Sequence, residues 1–182
     1  MKICTFLTDG FETVEALAVV DVCRRAGIET DLISITGKKE VKSAQNIMVN
    51  AEYTITEYQF DGTELLFLPG GPGHTHYLEC GQLVELLKDY NDKGRRIAAI
   101  CAAPSVLGKL GFLHGKKAMA FPGYEKDLAG AEVILKPEKT VTDGNITTSR
   151  GMGTSIDLGL ELVRLLAGRE EADRIGKAVQ YL

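Results

Sequence analysis

The sequence predicts an α/β fold, a mostly parallel sheet covered by helices on both faces. Three observations carry that prediction. Short apolar runs at residues 3–7, 65–68 and 97–100 are bounded by turn residues, as buried parallel strands are. Segments of helical length separate the strands, which parallel pairing requires. Glycines at 27, 94 and 168 stand where those helices must stop.

The elements follow in order. Residues 3–7 form a first strand and Thr8 to Thr13 a loop. Thr13 is placed to cap a helix running to about Arg25, with Val14, Leu17, Ala18 and Val22 on one face. A second strand spans 29–35, and residues 47–49 suit a short strand between Asn46 and Asn50. The third main strand, 65–68, ends at Pro69-Gly70-Gly71-Pro72-Gly73, and a helix over 75–93 follows. The fourth ends at Cys101 and leads into a helix to about Leu110, with Pro104 in its first turn, where a missing N–H is no loss. Beyond Gly111 the pattern weakens. It allows a strand over 117–121, a short helix over 124–129, and short strands at 133–135 and 140–142. Asp143-Gly144 signals a hairpin with 146–148 returning. Helices over 154–166, with an Ile156, Leu160, Val163 and Leu166 stripe, and over 170–179 complete the chain. Nothing repeats and no linker intervenes, so residues 1–182 read as one domain.

Right-handed crossovers place strand three beside strand one and strand four beside strand three. Ligands in such sheets bind at the carboxyl ends of the strands, where strand order reverses. The loops 8–13, 69–73 and 101–104 are expected to converge there.

Composition sets bounds. The chain is 45% apolar and 25% charged with net charge −4, ordinary for a globular protein. That balance argues against a nucleic-acid partner bound through a basic surface. Basic spots at Lys38-Lys39, Arg95-Arg96 and Lys116-Lys117 read as solvated loops or strand edges. No secretory signal or membrane-length apolar run is present, and the four cysteines have no pairing or metal spacing. The expectation is a cytoplasmic protein with reduced thiols.

Cys101 is the chemical focus. A cysteine at a strand-to-helix turn meets unpaired backbone N–H groups and the positive helix end, both of which favour thiolate, so its pKa is expected to fall. The layout is that of a nucleophile elbow with Ala99 and Ala103 in place of glycines. The alternative is a buried cysteine acting as a small hydrophobe. Glu12 and Glu15, three residues apart, share a helix face, and either can point at Cys101; a close one should hold its proton. Both equally suit plain decoration of a helix N-terminus. The loop 69–73 can bring N–H groups close to a ligand and, with the Ala102 N–H, form an oxyanion hole. His74 and His76 follow that loop and are candidate bases at the mouth of the site; with Cys80 they lack a fourth ligand for a metal. Arg150 is either an anchor for an anionic substrate or a pin for neighbouring loop carbonyls.

Taken together, Asp9-Gly10-Phe11-Glu12-Thr13-Val14-Glu15, Leu68-Pro69-Gly70-Gly71, Ala98-Ala99-Ile100-Cys101-Ala102-Ala103-Pro104 and Thr148-Ser149-Arg150-Gly151-Met152-Gly153-Thr154-Ser155 resemble the ThiJ/PfpI family. More narrowly they resemble its parkinsonism-associated deglycase branch, bacterial YajL-type members included. The resemblance spans nearly the whole chain. It implies a flavodoxin-like three-layer sandwich, a homodimer and no cofactor. It also implies a reactive Cys101 hydrogen-bonded by a protonated Glu15, with Gly71 and Ala102 backbone groups around the sulfur. The implied activities are glyoxalase-type conversion of methylglyoxal, removal of early glycation adducts, and a chaperone or redox-sensing role through oxidation of Cys101 to sulfinate. Phe121-Pro122 stands where several members carry a histidine before proline, so a cysteine–histidine dyad does not carry over; His74 and His76 are the candidates to stand in.

Overall fold

A computed structural model describes residues 1–182. In chain order its elements are β1 (Lys2–Leu7), α1 (Thr13–Arg25), β2 (Glu29–Ser34), β3 (Glu40–Lys42), β4 (Met48–Asn50), β5 (Tyr53–Thr54) and β6 (Leu65–Leu68). Then come α2 (His76–Glu79), α3 (Gly81–Asp92), β7 (Arg96–Ile100), α4 (Pro104–Lys109), β8 (Lys117–Ala118) and β9 (Glu132–Val133). The chain closes with β10 (Thr140–Asp143), β11 (Ile146–Ser149), α5 (Ser155–Ala167) and α6 (Arg169–Ala178).

Seven strands form one sheet in the order β10-β11-β7-β6-β1-β2-β5. Every neighbouring pair is parallel except the β10–β11 hairpin. Strand three of the prediction, β6, does lie beside β1, and β7 beside β6. The strands alternate sides as a period of two requires. Ile3, Leu65, Phe67, Ala98 and Ile100 pack with Val19, Val22, Leu158 and Leu162 of α1 and α5 on one face. Cys4, Phe6, Leu66, Leu68, Ile97 and Ala99 pack with Tyr77, Leu83, Leu87 and Leu107 on the other. The result is the flavodoxin-like three-layer sandwich.

Several boundaries and faces differ from expectation. The buried face of α1 is Glu15, Ala16, Val19, Val20, Val22 and Cys23, whereas Val14 is 45% exposed. A glutamate on the inner face shifts the apparent apolar stripe. On α5 the inner residues are Leu158, Gly159, Leu162 and Val163 rather than the stripe containing Ile156, Leu160 and Leu166. Here Gly159 is the cause. A Cβ there would stand 2.9 Å from Val22 Cβ, so the glycine lets α1 and α5 approach closely while hiding the contact face from a hydrophobicity pattern. Thr13 does not cap α1; its hydroxyl donates to Gln45 Oε1 at 2.7 Å, and Glu12 occupies the N-cap position.

The helix predicted over 75–93 is interrupted at Cys80, whose ψ of 94° is extended, so α2 and α3 are separate helices after a 3-10 turn at Pro72–Thr75. The segment 117–121 keeps strand form only at Lys117–Ala118, because Met119 N–H turns to Thr148 Oγ1 instead. Residues 124–129 form only a 3-10 turn at Glu125–Asp127, and pairing at 133–135 stops at Val133. The pattern missed β5 and β3, which are two and three residues long.

At the carboxyl ends of β1 and β6 two loops meet backbone to backbone. Gly73 N–H donates to Gly10 O at 3.0 Å and Glu12 N–H to Gly70 O at 3.0 Å. A Cβ on Gly73 would overlap the Asp9 carbonyl oxygen. Gly73→Ala is therefore expected to destabilise the fold by about 2 kcal/mol or more in chemical denaturation. Gly81→Ala, where a Cβ meets nothing within 4 Å at the start of α3, should be neutral or stabilising by about 0.5 kcal/mol.

Candidate active site

Cys101 follows β7 directly and has φ of +64°, a left-handed conformation that costs a non-glycine residue roughly 1 kcal/mol. Three backbone hydrogen bonds impose it. Cys101 N–H donates to Ser149 O at 2.9 Å, Phe121 N–H donates to Cys101 O at 2.8 Å, and Ala103 N–H donates to Ile100 O at 3.0 Å. Ser105 Oγ donates to Ala102 O at 2.7 Å and closes the turn into α4. The side chain is thrown out at the end of the sheet, partly exposed, while Cys4 and Cys23 are buried and Cys80 is half-buried.

Glu15 lies in the first turn of α1 and is 1% exposed. Gly70 N–H donates to its Oε2 at 2.9 Å. Gly70 has no room for a side chain, because a Cβ would stand 2.6 Å from both Glu15 Oε2 and Cys101 Cβ. The carboxyl and the thiol thus face each other across a glycine. Glu12 is turned outward and accepts from Gln45 Nε2 at 2.8 Å. Of the two glutamates, only Glu15 reaches the sulfur.

Two backbone donors complete the site. The Gly71 and Ala102 N–H groups have no backbone or side-chain oxygen partner, and both act on the Cys101 sulfur. Gly71 has φ of +96°, with Gly10 O only 2.5 Å from where a Cβ would be. Glycine alone fits there.

Burial pushes the Glu15 carboxyl up to about 7, reinforced by the Glu12 charge and opposed by hydrogen bonds from Cys101, Gly70 N–H and Met152 N–H. The Cys101 thiol is pushed up to about 12, first by burial, then by the charge of Glu15 and its hydrogen bond. The Gly71 and Ala102 amides pull the other way and are outweighed. This corrects the expectation of a depressed thiol pKa. Six residues of α4 supply a weak dipole, and an adjacent carboxylate opposes a second negative charge. The pair therefore gives up its protons one after the other, the carboxyl first.

His74 is placed differently from expectation. It is buried, its Nδ1 lies 3.0 Å from Gly71 O, and its ring meets Tyr124 edge-on at 5.3 Å. It braces the loop from behind instead of standing at the mouth. Burial lowers its pKa. His76 is turned to Thr8 Oγ1 at 3.1 Å, beside a separate cavity of about 270 Å³ shared with Asp9 and Cys80. Arg150 donates to the carbonyls of Pro137 and Glu138, the loop-pinning alternative, and also lines a cleft of about 490 Å³ with Phe121, Pro122, Lys136 and Met152. Phe121, in the wall of that cleft, donates its N–H to the Cys101 carbonyl. The largest cavity, about 560 Å³ between Lys139 and Tyr181, lies elsewhere.

Sequence reasoning missed Tyr77 and Ser149. The buried Tyr77 hydroxyl reaches Phe6 O and Pro69 O, both at 3.0 Å, and ties the glycine loop to β1. Ser149 Oγ donates to Lys139 O at 2.9 Å, while its carbonyl holds Cys101. No spacing rule marks either residue.

An α/β sandwich with a cysteine on a left-handed elbow at the carboxyl edge of its sheet defines a class of cysteine-centred flavodoxin-like proteins. Residues 1–165 match the DJ-1/PfpI family model, and the chain belongs to that family. It is 33% identical over 174 residues to Protein dj-1beta of Drosophila melanogaster, covering 95% of this chain and 93% of that one. It is 34% identical over 172 residues to the Parkinson disease protein 7 homolog of Danio rerio, covering 93% and 91%. The crystal structure of Drosophila melanogaster DJ-1beta superposes with a TM-score of 0.94 at 31% identity over 100% of this chain and 98% of that one. Toxoplasma gondii DJ-1 in its oxidized form gives 0.93 at 28% identity over 99% and 98%. The family includes stress-response proteins and proteins with cysteine-dependent activity. No helix is long and apolar enough to cross a membrane.

The raised Glu15 pKa has a stability consequence. Between about pH 4.5 and 7 the folded state binds more protons than the unfolded state, so stability falls as pH rises through that window and is then level. Glu15→Gln removes the buried charge and keeps an acceptor for Gly70 N–H. It should be more stable than the parent at pH 8 by about 1–3 kcal/mol, with the gap closing below about pH 4.5. Denaturant melts at the two pH values check this, and thiolate absorbance should show Cys101 titrating lower in the variant.

Proposed function

We propose that this protein is a cysteine-dependent enzyme acting on small reactive carbonyls such as methylglyoxal, or on early glycation adducts. The supporting observation is the placement of Cys101 between the Glu15 carboxyl and two unpartnered N–H groups. As Sγ bonds to the aldehyde carbon, Glu15 takes the thiol proton, and the oxygen receives the Gly71 and Ala102 N–H groups. The product of that step is a hemithioacetal. Glu15 returns that proton to the new alkoxide oxygen and, ionised again, moves a proton from the former aldehyde carbon to the neighbouring carbonyl carbon while the hydroxyl proton passes to the other oxygen, leaving a thioester of the hydroxy acid. Water cleaves the thioester, releasing lactate and restoring the thiol, so the net reaction is methylglyoxal plus water to lactate. A carboxyl titrating near 7 suits a group that must both accept and return protons. Cys101→Ala should lower kcat/KM for methylglyoxal at least about a hundredfold in a lactate-release assay. Turnover at the parental rate would refute the proposal.

A second reading is a redox sensor or chaperone whose signal is Cys101 oxidation. It is supported by the exposure of Cys101 relative to Cys4 and Cys23, and by donors suited to sulfinate oxygens. After mild peroxide, peptide mass spectrometry should find two added oxygen atoms on Cys101, with Cys4 and Cys23 unmodified. This reading requires negligible turnover in the lactate assay.

We also propose a homodimer, covering the exposed Val14, Ile47 and Met48, which lie together because Gln45 bridges to Thr13 and Glu12. Sedimentation should give twice the 19.7 kDa chain mass, and Met48→Glu should shift it toward the monomer.

A further inference from the structure

Two dibasic pairs, Arg95-Arg96 and Lys116-Lys117, play no part in the site around Cys101, and the fold brings them together at the opposite end of the sheet. A cavity of about 460 Å³ opens there at the amino ends of β6, β7 and β11. Arg95, Arg96, Thr63, Glu64 and Asn145 contribute to its walls. Arg95 is fixed in place, with its guanidinium 3.9 Å from the Tyr90 ring centroid and donating to Thr63 O. The Arg96 side chain has no hydrogen-bond or ion-pair partner. Its charge acts on Glu161, which is already bound by Arg164 at 2.7 Å and Thr142 at 2.8 Å. Lys116 Nζ lies 3.0 Å from where a Gly144 Cβ would stand, against the hairpin that forms one wall, and it too has no carboxylate partner. The acids nearby are engaged: Glu64 Oε1 lies 3.4 Å from the terminal amine and Asp143 Oδ2 accepts Lys117 N–H at 2.8 Å.

We infer that this cavity binds a small polyphosphate anion through Arg95, Arg96 and Lys116. Two guanidinium groups without a direct ion-pair partner line one cavity in a chain of net charge −4, their forks match phosphate oxygens, and the Lys116 ammonium stands against the Gly144 wall. Gly62, Gly94 and Gly144 at the rim have φ of 75°, 64° and 60°, so backbone can approach an anion closely there. Nothing offers a platform for a base. Leu166 is the one apolar wall residue, and Arg95 covers the Tyr90 ring. The recognised group is therefore the phosphate chain itself, whether free or at the end of a nucleotide. The site is separate from the thiol, because Arg96 and Cys101 sit at opposite ends of β7, roughly 16 Å apart by strand rise.

Isothermal titration of the full chain with tripolyphosphate, ATP and inorganic phosphate at about 150 mM salt tests the inference. Tripolyphosphate and ATP should bind one per chain with similar affinity, and inorganic phosphate more weakly. Arg96→Gln and Lys116→Gln should each weaken tripolyphosphate binding about fivefold or more, and either variant alone suffices as the readout. Lys38→Gln makes the same charge change in a dibasic pair away from the cavity and should alter binding less than about twofold. No saturable binding, equal weakening by Lys38→Gln, or binding of ATP without tripolyphosphate would each overturn the assignment. So would a single-stranded oligonucleotide whose binding Arg96→Gln weakens while tripolyphosphate binding is unmoved.

Discussion

Backbone packed directly on backbone, between residues 69–73 and residues 9–12, is the constraint on which the carboxyl end of this sheet depends. Glu12 N–H to Gly70 O and Gly73 N–H to Gly10 O lock the two loops, and no side chain fits between them at Gly71 or Gly73. That contact fixes where α1 begins. Because α1 begins there, its first turn points Glu15 inward at Gly70 N–H. The same glycine leaves the space that Cys101 Cβ occupies from the other side. Tyr77 and His74 reinforce the loop from beneath, one through Pro69 O and the other through Gly71 O. The site is thus a property of two loops and an elbow held in register by the sheet, which rigid strands position more exactly than loops alone can.

The arrangement works against stability locally. A glutamate is 1% exposed with a thiol for a neighbour, and a cysteine is held left-handed. Both are departures that survive only where the surroundings over-determine them. The surroundings here are the two apolar layers. Leu68 and Ala99 on one face, and Phe67 and Ile100 on the other, are fully buried within a residue or two of the site. A local destabilisation of a few kcal/mol is tolerable because the strands that carry it cannot move without opening the core.

The parts of the fold legible in the sequence are those where burial wrote an uninterrupted apolar run. β1, β6 and β7 needed no more than that, and their order followed from crossover geometry. The faces of α1 and α5 were misjudged for a physical reason: each buries a residue that hydrophobic patterning scores against, Glu15 in one and Gly159 in the other. The first is chemistry and the second is close helix approach. Residues 111–139 were hard to read because their pairing is only two residues long at β8 and β9, and side-chain caps such as Thr148 Oγ1 to Met119 N–H replace ladder bonds. At the site, Cys101, Glu15, Gly71 and Ala102 were nameable from motif spacing and resemblance. The roles of Tyr77, Ser149 and His74 as braces depend on distances that only folding creates.

The sign of the Cys101 pKa shift changes how the site must be understood. A thiolate formed in advance would need the amides of Gly71 and Ala102 to outweigh burial and a neighbouring carboxylate. They do not. What the geometry provides is a thiol and a carboxyl that lose their protons in turn, the carboxyl first, leaving one proton between them after the first loss. In that state negative charge on sulfur and on Glu15 are alternatives. An electrophile that draws charge from the sulfur therefore favours transfer of the proton to Glu15, and with the carboxyl neutral, the two influences of its charge that held the thiol pKa up are gone. For the reaction proposed above, the nucleophile is strengthened by the approach of its own reaction partner. The Gly71 and Ala102 N–H groups, outweighed in the resting pair, then face negative charge with nothing nearby to oppose them.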